Sequence, residues 1–525
     1  MAIVLFRRLP LPVALVWSIL APYLILPEGL SVDFPVLPGF DKHSIPSLCA
    51  LVLVLAAGRR GIKGRGDRRL AEAQNESGHP DGKRQVRRGR SRPSVFFTFL
   101  TALAIAAPIP TNLLNGDFLL IGGRFIQGTG FKDMYGVVIL TALSVVPFLL
   151  ARRHLGRAED QVMLMKALVA ACLVYSLLML FEVRMSPQLH RILYGYHAHS
   201  FAQHVRGGHY RPMVFLEHGL RVGIFVAMAA LSCATMWRIA QKARAKGHGT
   251  RSAGTERGAD TVQSRPSRVR RHETQTSERP PSYWALRLTW LTAVLVLSRN
   301  LGATMILVLL LPAVLLLGVR LQIMIAAVFA ALILIYPMAR GSGIVPTDRI
   351  LSFAASIDED RGRSLEFRLM NEDMLLARAN EKPLFGWSGW GRSRVYDPET
   401  GDDISTTDGS WVILIGTSGW VGYLATFGLL TAPVLMMFRR RKVADQAAAG
   451  LTLILTANLL DLVPNSSLTP ITWLIAGSLA GRVEQMANKP TETGRRRNTQ
   501  PSVSRSQAPE TPPSPAFARN SARRV

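Results

Sequence analysis

Apolar runs long enough to cross a bilayer alternate along this chain with short segments in which arginine and lysine collect. That alternation restricts the fold more than any motif does. Hydrocarbon offers no water to exposed backbone groups, so a spanning segment must close its own hydrogen bonds, which an apolar run of about 20 residues does as a helix. A water-soluble chain of this length would instead spread its apolar residues at periods of two or about 3.6 over half-polar elements. The mean hydropathy is +0.20 although 62 of the 525 residues are Lys or Arg, which requires the two kinds of residue to be segregated. The expected fold is an all-α integral membrane protein with about twelve transmembrane helices.

The runs predict spans at 9–29, 44–58, 94–114, 134–151, 162–182, 218–238, 283–298, 302–318, 323–338, 416–437, 446–463 and 468–482, the second being short for a bilayer. Arg7 and Arg8 precede the first run as in a signal peptide, but no small-residue cleavage site follows, so it reads as a retained span. Basic residues set the orientation. Residues 59–93 hold twelve Lys or Arg, and 238–282 hold eleven against four acids. Arg152–Arg153, Arg439–Arg441 and Arg495–Arg497 fall on the same side. The positive-inside rule makes that side cytoplasmic, with both termini on it. The chain then divides into N-terminal helices 1–182 with a basic loop 59–93, an outer loop 183–217, and helices 218–338 interrupted by a disordered basic loop 239–282. A large outer loop 339–415, helices 416–482 and a disordered, Pro-containing basic tail 483–525 complete it.

Composition argues against several classes of function. The net charge of +27 invites a nucleic-acid reading, but the basic blocks are rich in Gly, Ser, Thr and Pro and lack interleaved aromatics. Topogenesis and contact with lipid headgroups explain them instead. Cys49, Cys172 and Cys233 all lie inside apolar runs, where thiols pack as small residues, so neither a disulfide framework nor a thiolate metal site is expected. Five histidines lie between positions 190 and 209, but His197, His199, His204 and His209 lack the helical acid-and-His spacing of metallohydrolases, and no metal is expected.

The loop 339–415 is too long and too patterned for a connector. Ser364 is placed to cap a helix reaching about Asn380, with Phe367, Met370, Met374 and Ala377 on one face. The segment Pro383-Leu-Phe-Gly-Trp-Ser-Gly-Trp-Gly391 forms a Gly-rich turn, and Asp408 precedes the next span. Arginines beside a membrane-embedded cavity suit a diphosphate, because the planar guanidinium pairs two oxygens at once. Arg211 and Arg368 are the leading candidates, with Arg363, Arg184 and Arg392 as further substrate contacts. Trp387 and Trp390 are placed to stack on sugar rings or to anchor at the interface. Arg211 and His218 stand where the chain re-enters the membrane, a depth at which a charge has a partner or a ligand. Asp408 is the candidate base for an attacking hydroxyl. The plainer alternatives are a surface pair between Arg368 and Glu372, four apart on the helix, and helix capping by Asp408.

At these loops the sequence resembles the O-antigen ligase and polymerase (Wzy-type) superfamily of bacterial envelope glycosyltransferases. Ser298-Arg299-Asn-Leu-Gly302 is similar to the family's Ser-Arg-Gly turn, and Arg368 through Pro383-Leu-Phe-Gly386 to its Arg-led helix and Pro-x-x-Gly turn. Asp408-Gly409 followed by Gly419-Trp-Val-Gly422 resembles the closing part, and Arg211 to His218 the earlier Arg-containing loop. The likeness covers roughly residues 183–440. Where the lipopolysaccharide ligases carry a His thought to assist the acceptor hydroxyl, this chain has Asp408.

What the resemblance implies is a glycosyltransferase of the bacterial plasma membrane that needs neither metal nor cofactor and acts on the outer face in O-antigen or exopolysaccharide biosynthesis. A polyprenyl-diphosphate-linked glycan is the implied donor, and a glycan or lipid-glycan the acceptor. The alternatives are a secondary transporter or exporter of an envelope precursor, and a scaffold docked through its basic tail.

Overall fold

The computed structural model describes residues 1–33, 37–59, 94–206, 208–255, 279–357 and 359–487. Almost all of the basic loop 59–93, residues 256–278 of the next one and the tail after Ala487 lie outside the described residues. A helix stands at each of the twelve apolar runs. The chain runs α1 (Ala2–Arg8), α2 (Leu11–Ile25), α3 (Ser44–Arg59), α4 (Val95–Ala106), α5 (Pro108–Leu113), α6 (Phe131–His154), α7 (Ala158–Met185) and α8 (Leu189–Tyr194). It continues through α9 (Gly219–Thr255), α10 (Pro281–Leu297), α11 (Leu301–Leu316), α12 (Val319–Gly341), α13 (Thr347–Ile357) and α14 (Glu359–Asn380). The last three helices are α15 (Ser410–Arg439), α16 (Gln446–Asp461) and α17 (Pro470–Ala487). Strands among the described residues form two small antiparallel hairpins, Leu119–Ile121 with Arg124–Ile126 and Val205–Arg206 with His209–Tyr210.

The protein is all-α and of the membrane type. Among the described residues, six helical stretches are long and apolar enough to cross a bilayer: α4 with α5, α6, α7, α9, α12 and α15. Three boundaries differ from expectation. The first apolar helix stops at Ile25, after Pro22; α9 continues through residues 239–255, expected to be disordered loop; and α14 begins at Glu359, so Ser364 lies inside it and is not its cap.

Lipid tails are as apolar as leucine, so helices associate through close packing and interhelical hydrogen bonds rather than exclusion of water. Gly477 and Gly481 face α6, where a Cβ on either would overlap the backbone carbonyl of Phe148 or Arg152. The stripe therefore lets α17 and α6 meet backbone to backbone. α9 lies against α7, α10, α11 and α16, and every residue of α16 except Leu460 is buried.

Polar contacts gather the connections into two sets. In one, Arg152 pairs with Glu484 at 2.7 Å and donates to Ser94 O at 3.0 Å, and Lys242 donates to Gln446 at 2.8 Å. In the other, Glu28 pairs with Lys42 at 2.7 Å and with Arg221 at 3.5 Å, and Arg221 donates to Ser466 O at 3.4 Å. The loop after α7 belongs to this second set. Buried Glu182 accepts from the amides of Leu189 (3.0 Å), Met213 (2.9 Å) and Val214 (2.7 Å), which fastens the loop at both ends.

One long helix is broken. Gly419 in α15 has φ 64° and ψ −173°, a region that essentially only glycine occupies. The Pro383–Ser388 turn enters the gap. Trp387 N donates to Gly416 O at 2.8 Å and Ser388 N to Thr417 O at 2.9 Å, while Trp420 N donates to Pro383 O at 2.8 Å and Val421 N to Leu384 O at 3.2 Å. The backbone groups freed by the break are thus satisfied within the chain, as an apolar surrounding demands. Gly386 is held at φ 69° with no room for a Cβ, which would stand 2.6 Å from Gly419 N.

Candidate functional site

The second set of connections encloses a cavity of about 110 Å³ lined by Tyr336, Arg368, Asn371, Glu372, Asp408 and Pro464 among others. Helix α14 brings Arg368 and Glu372, the end of α12 brings Tyr336, and the residue before the α15 cap brings Asp408. Arg340 anchors α14 by donating to Asp373 at 2.8 Å and to Leu369 O at 3.3 Å. Asn371 accepts from Thr406 N at 2.6 Å, which draws the segment leading to Asp408 onto the same helix.

Arg368 Nε stands 3.5 Å from Asp408 Oδ2, and Arg368 also donates to Pro464 O at 3.3 Å. The two charged side chains keep 33% and 41% of their surface, so both are reachable by a ligand. Neither plainer alternative describes them. Gly409 is the N-cap of α15 and no side chain caps it. Glu372 takes the Tyr336 hydroxyl at 3.1 Å and faces Arg340 Nε at 3.8 Å rather than Arg368. Burial pushes the Glu372 carboxyl above the usual carboxylate value, against the opposing pull of the Tyr336 hydrogen bond and Arg340.

A buried acid behind the cavity organises it. Asp461 closes α16 and accepts from Asn465 Nδ2 at 2.9 Å and Ser467 Oγ at 2.5 Å, bending the following turn. The carbonyls of that turn then serve the neighbours: Pro464 for Arg368, Ser466 for Arg221, and Leu462 and Asn465 for the Ser410 amide at 3.1 and 3.2 Å. Arg211 and Arg368 both lie within electrostatic reach of Asp461. Arg211 is 5% exposed, and its side chain crosses Gly219 at the start of α9, next to His218. Asn300 caps α11 and donates to Gly219 O at 3.0 Å, so the Ser298–Gly302 turn meets the same point.

The fold thus brings Arg211, His218, Arg368 and Asp408 to one region. Other candidates stand elsewhere. Arg392 is 1% exposed and donates to Asp117 O (2.7 Å) and Gln127 O (3.1 Å), tying down the loop with the first hairpin. Trp387 is buried, donates to Arg378 O at 2.8 Å and carries the Arg378 guanidinium 3.5 Å over its ring. Trp390 is exposed at φ 59°, and Arg184 is exposed at the end of α7. Arg363 is exposed on α14 and does not line the cavity. The sequence marked Glu372 only as a surface partner for Arg368, and no pattern in it singles out Tyr336 or the organising role of Asp461. An acid at the end of an apolar run was the available signal for Asp461.

Among the described residues, no group of three or more His, Cys, Asp or Glu is placed to hold a metal ion. Fold and site together define a helical membrane-type protein with an Arg–Asp cavity at one end of its bundle. Comparison with models of known families gave no match, and comparison with curated proteins gave none either.

Proposed function

We propose that this protein is a Wzy-type glycosyltransferase of the bacterial plasma membrane, acting on the outer face and spanning the bilayer twelve times with both termini in the cytoplasm. The observation that carries the reading is the meeting of Arg368 and Asp408 at one small cavity, with the buried Asp461 behind it within electrostatic reach of both Arg368 and Arg211. The sorting of the connections into two polar sets supports the topology. The basic segments 59–93 and 238–282 adjoin the Arg152 and Lys242 set, whereas the cavity belongs to the other.

In this reading a polyprenyl-diphosphate-linked glycan enters from the bilayer and its diphosphate lies against Arg368 and Arg211. The Asp408 carboxylate accepts the proton of an acceptor hydroxyl as that oxygen bonds to the anomeric carbon. The bond from the anomeric carbon to the diphosphate oxygen breaks with its electron pair, and the arginines stabilise the departing charge; one preorganised donor contributes about 3 kcal/mol. The pairing of Asp408 with Arg368 links base and anion site. Binding the diphosphate draws Arg368 from Asp408 and leaves the carboxylate available to the acceptor.

Transfer from a lipid-linked donor by the purified protein in nanodiscs tests the reading. Arg368→Ala and Asp408→Asn are expected to reduce it at least tenfold. Normal product from well-folded forms of both refutes the assignment. The broken helix α15 is the feature shared with secondary carriers, but its freed backbone groups are taken by the Pro383–Ser388 turn rather than turned toward a substrate path. Donor-independent uptake into liposomes would favour the carrier.

A further inference from the structure

The loop after α7 holds a feature that the Arg368 cavity leaves unexplained. The ring of His204 is fully buried, yet neither of its nitrogens has a hydrogen-bond partner among the described residues. A buried imidazole left in that state is costly, because both nitrogens have lost water without replacement. Its surroundings are polar. The His218 ring lies 5.1 Å away and the His199 ring 6.0 Å, and those two rings stand 5.3 Å apart. His218 Nδ1 accepts from Leu220 N at 3.1 Å and His199 Nδ1 from Ser200 N at 2.8 Å, so in both rings that nitrogen is engaged by backbone. Arg211 is within electrostatic reach of both His204 and Asp461.

We propose that His204, with His199, His218 and Arg211, forms a second phosphate subsite beside the Arg368 cavity, which takes the phosphate of a lipid diphosphate that is remote from the sugar. The assignment rests on the reading of that cavity as a diphosphate-handling centre and names the groups that would complete it. A neutral imidazole presents one N–H and one lone pair, and a phosphate carrying one proton offers the matching pair, an oxygen acceptor and a P–OH donor. Burial first, then the nearby charges of His199 and Arg211, push the His204 imidazole down to about 4, so that it is neutral at pH 7. Arg211 supplies the fixed positive charge. Its guanidinium is within electrostatic reach of both His204 and Asp461, and a planar guanidinium can pair with oxygens of both phosphates of one diphosphate.

The test uses the full-length protein in phosphatidylcholine nanodiscs, titrated with inorganic pyrophosphate and, separately, with a polyprenyl diphosphate. His204→Phe removes both nitrogens while keeping a ring of similar volume. Its melting temperature without ligand is expected to equal or exceed that of the unmodified protein, whereas its affinity for pyrophosphate falls at least tenfold. His204→Gln, which restores an N–H donor and an acceptor, is expected to recover part of the loss and serves if the Phe variant does not fold. Pyrophosphate affinity within twofold of the unmodified protein in both variants overturns the subsite. Arg368→Ala separates the two claims. Loss of binding there, with normal binding by His204→Phe, sinks the subsite and spares the cavity reading. The opposite pattern keeps the subsite and sinks the reading of Arg368. Phosphatidylglycerol added to the nanodiscs distinguishes the source of the anion: competition with pyrophosphate as strong as that of the polyprenyl diphosphate would assign the site to bilayer headgroups and overturn the proposal.

Discussion

Replacing Gly419 with alanine tests whether the break in α15 is built into the fold. The backbone there, at φ 64° and ψ −173°, costs a residue with a Cβ on the order of 1–3 kcal/mol. The new methyl would also overlap Leu384 O, so the Pro383–Ser388 turn must withdraw. Withdrawal removes four backbone hydrogen bonds of 2.8 to 3.2 Å, from Trp387, Ser388, Trp420 and Val421. At about 1 kcal/mol net for each, their loss brings the total to roughly 5–7 kcal/mol. Whole domains are stable by only about 5–15 kcal/mol, so the variant is expected to unfold or to lose the order of this loop. Thermal unfolding in detergent, followed by circular dichroism and by fluorescence of Trp387 and Trp420, provides the measurement. Gly302→Ala is the control, since nothing lies within 4 Å of the added Cβ and alanine in a helix gains up to about 1 kcal/mol over glycine. A Gly419→Ala protein melting within about 2 °C of the unmodified one would refute the reasoning.

Two further outcomes follow from buried charge. Glu484→Ala strands Arg152 at 8% exposure after removing contacts of 2.7 and 3.0 Å, and should cost about 3–5 kcal/mol; a smaller loss than Glu484→Gln in the same melting assay would contradict the pairing. His204 should make stability depend on pH. Its folded value of about 4 lies below the ordinary 6.5, so the unfolded chain binds more protons between the two. Stability is then full above about pH 6.5 and declines by about 3 kcal/mol as pH falls through 4, with His197, His199, His218 and Arg211 as the charged or titrating neighbours. The difference in melting temperature between the unmodified protein and His204→Phe should widen from pH 7 to pH 4.5 in favour of the variant, and a constant difference would exclude this origin.

Much of the fold was legible because a bilayer-length apolar run has a single way to satisfy its backbone. A helix stands at each of the twelve runs, six of them long and apolar enough to cross a bilayer, and the departures fall where the sequence is polar and two conformations compete. Helix α9 continues past Trp237 because no Gly or Pro stops it before Lys246, and α14 starts upstream of Ser364 because acidic Glu359 and its neighbours suit a helix N-terminus equally well. Arg368 and Asp408 were recognisable as candidate chemistry, whereas Arg392 and Trp387 looked alike in sequence and proved to be buried supports.

The amino-acid sequence by itself determined the class of this protein: the segregation of apolar from basic residues marks an all-α protein of the membrane type. Which charges meet was decided only in three dimensions. Arg211, Arg368, Asp408 and Asp461 are separated by up to 250 positions, and no local pattern links them. They come together because α9, α14, α15 and α16 pack in one particular order, and because the Asp461 turn offers its carbonyls to whatever donors that packing delivers. The same holds for His204. Its spacing from other histidines says nothing of burial, and only the closed loop after α7 takes the water from its ring.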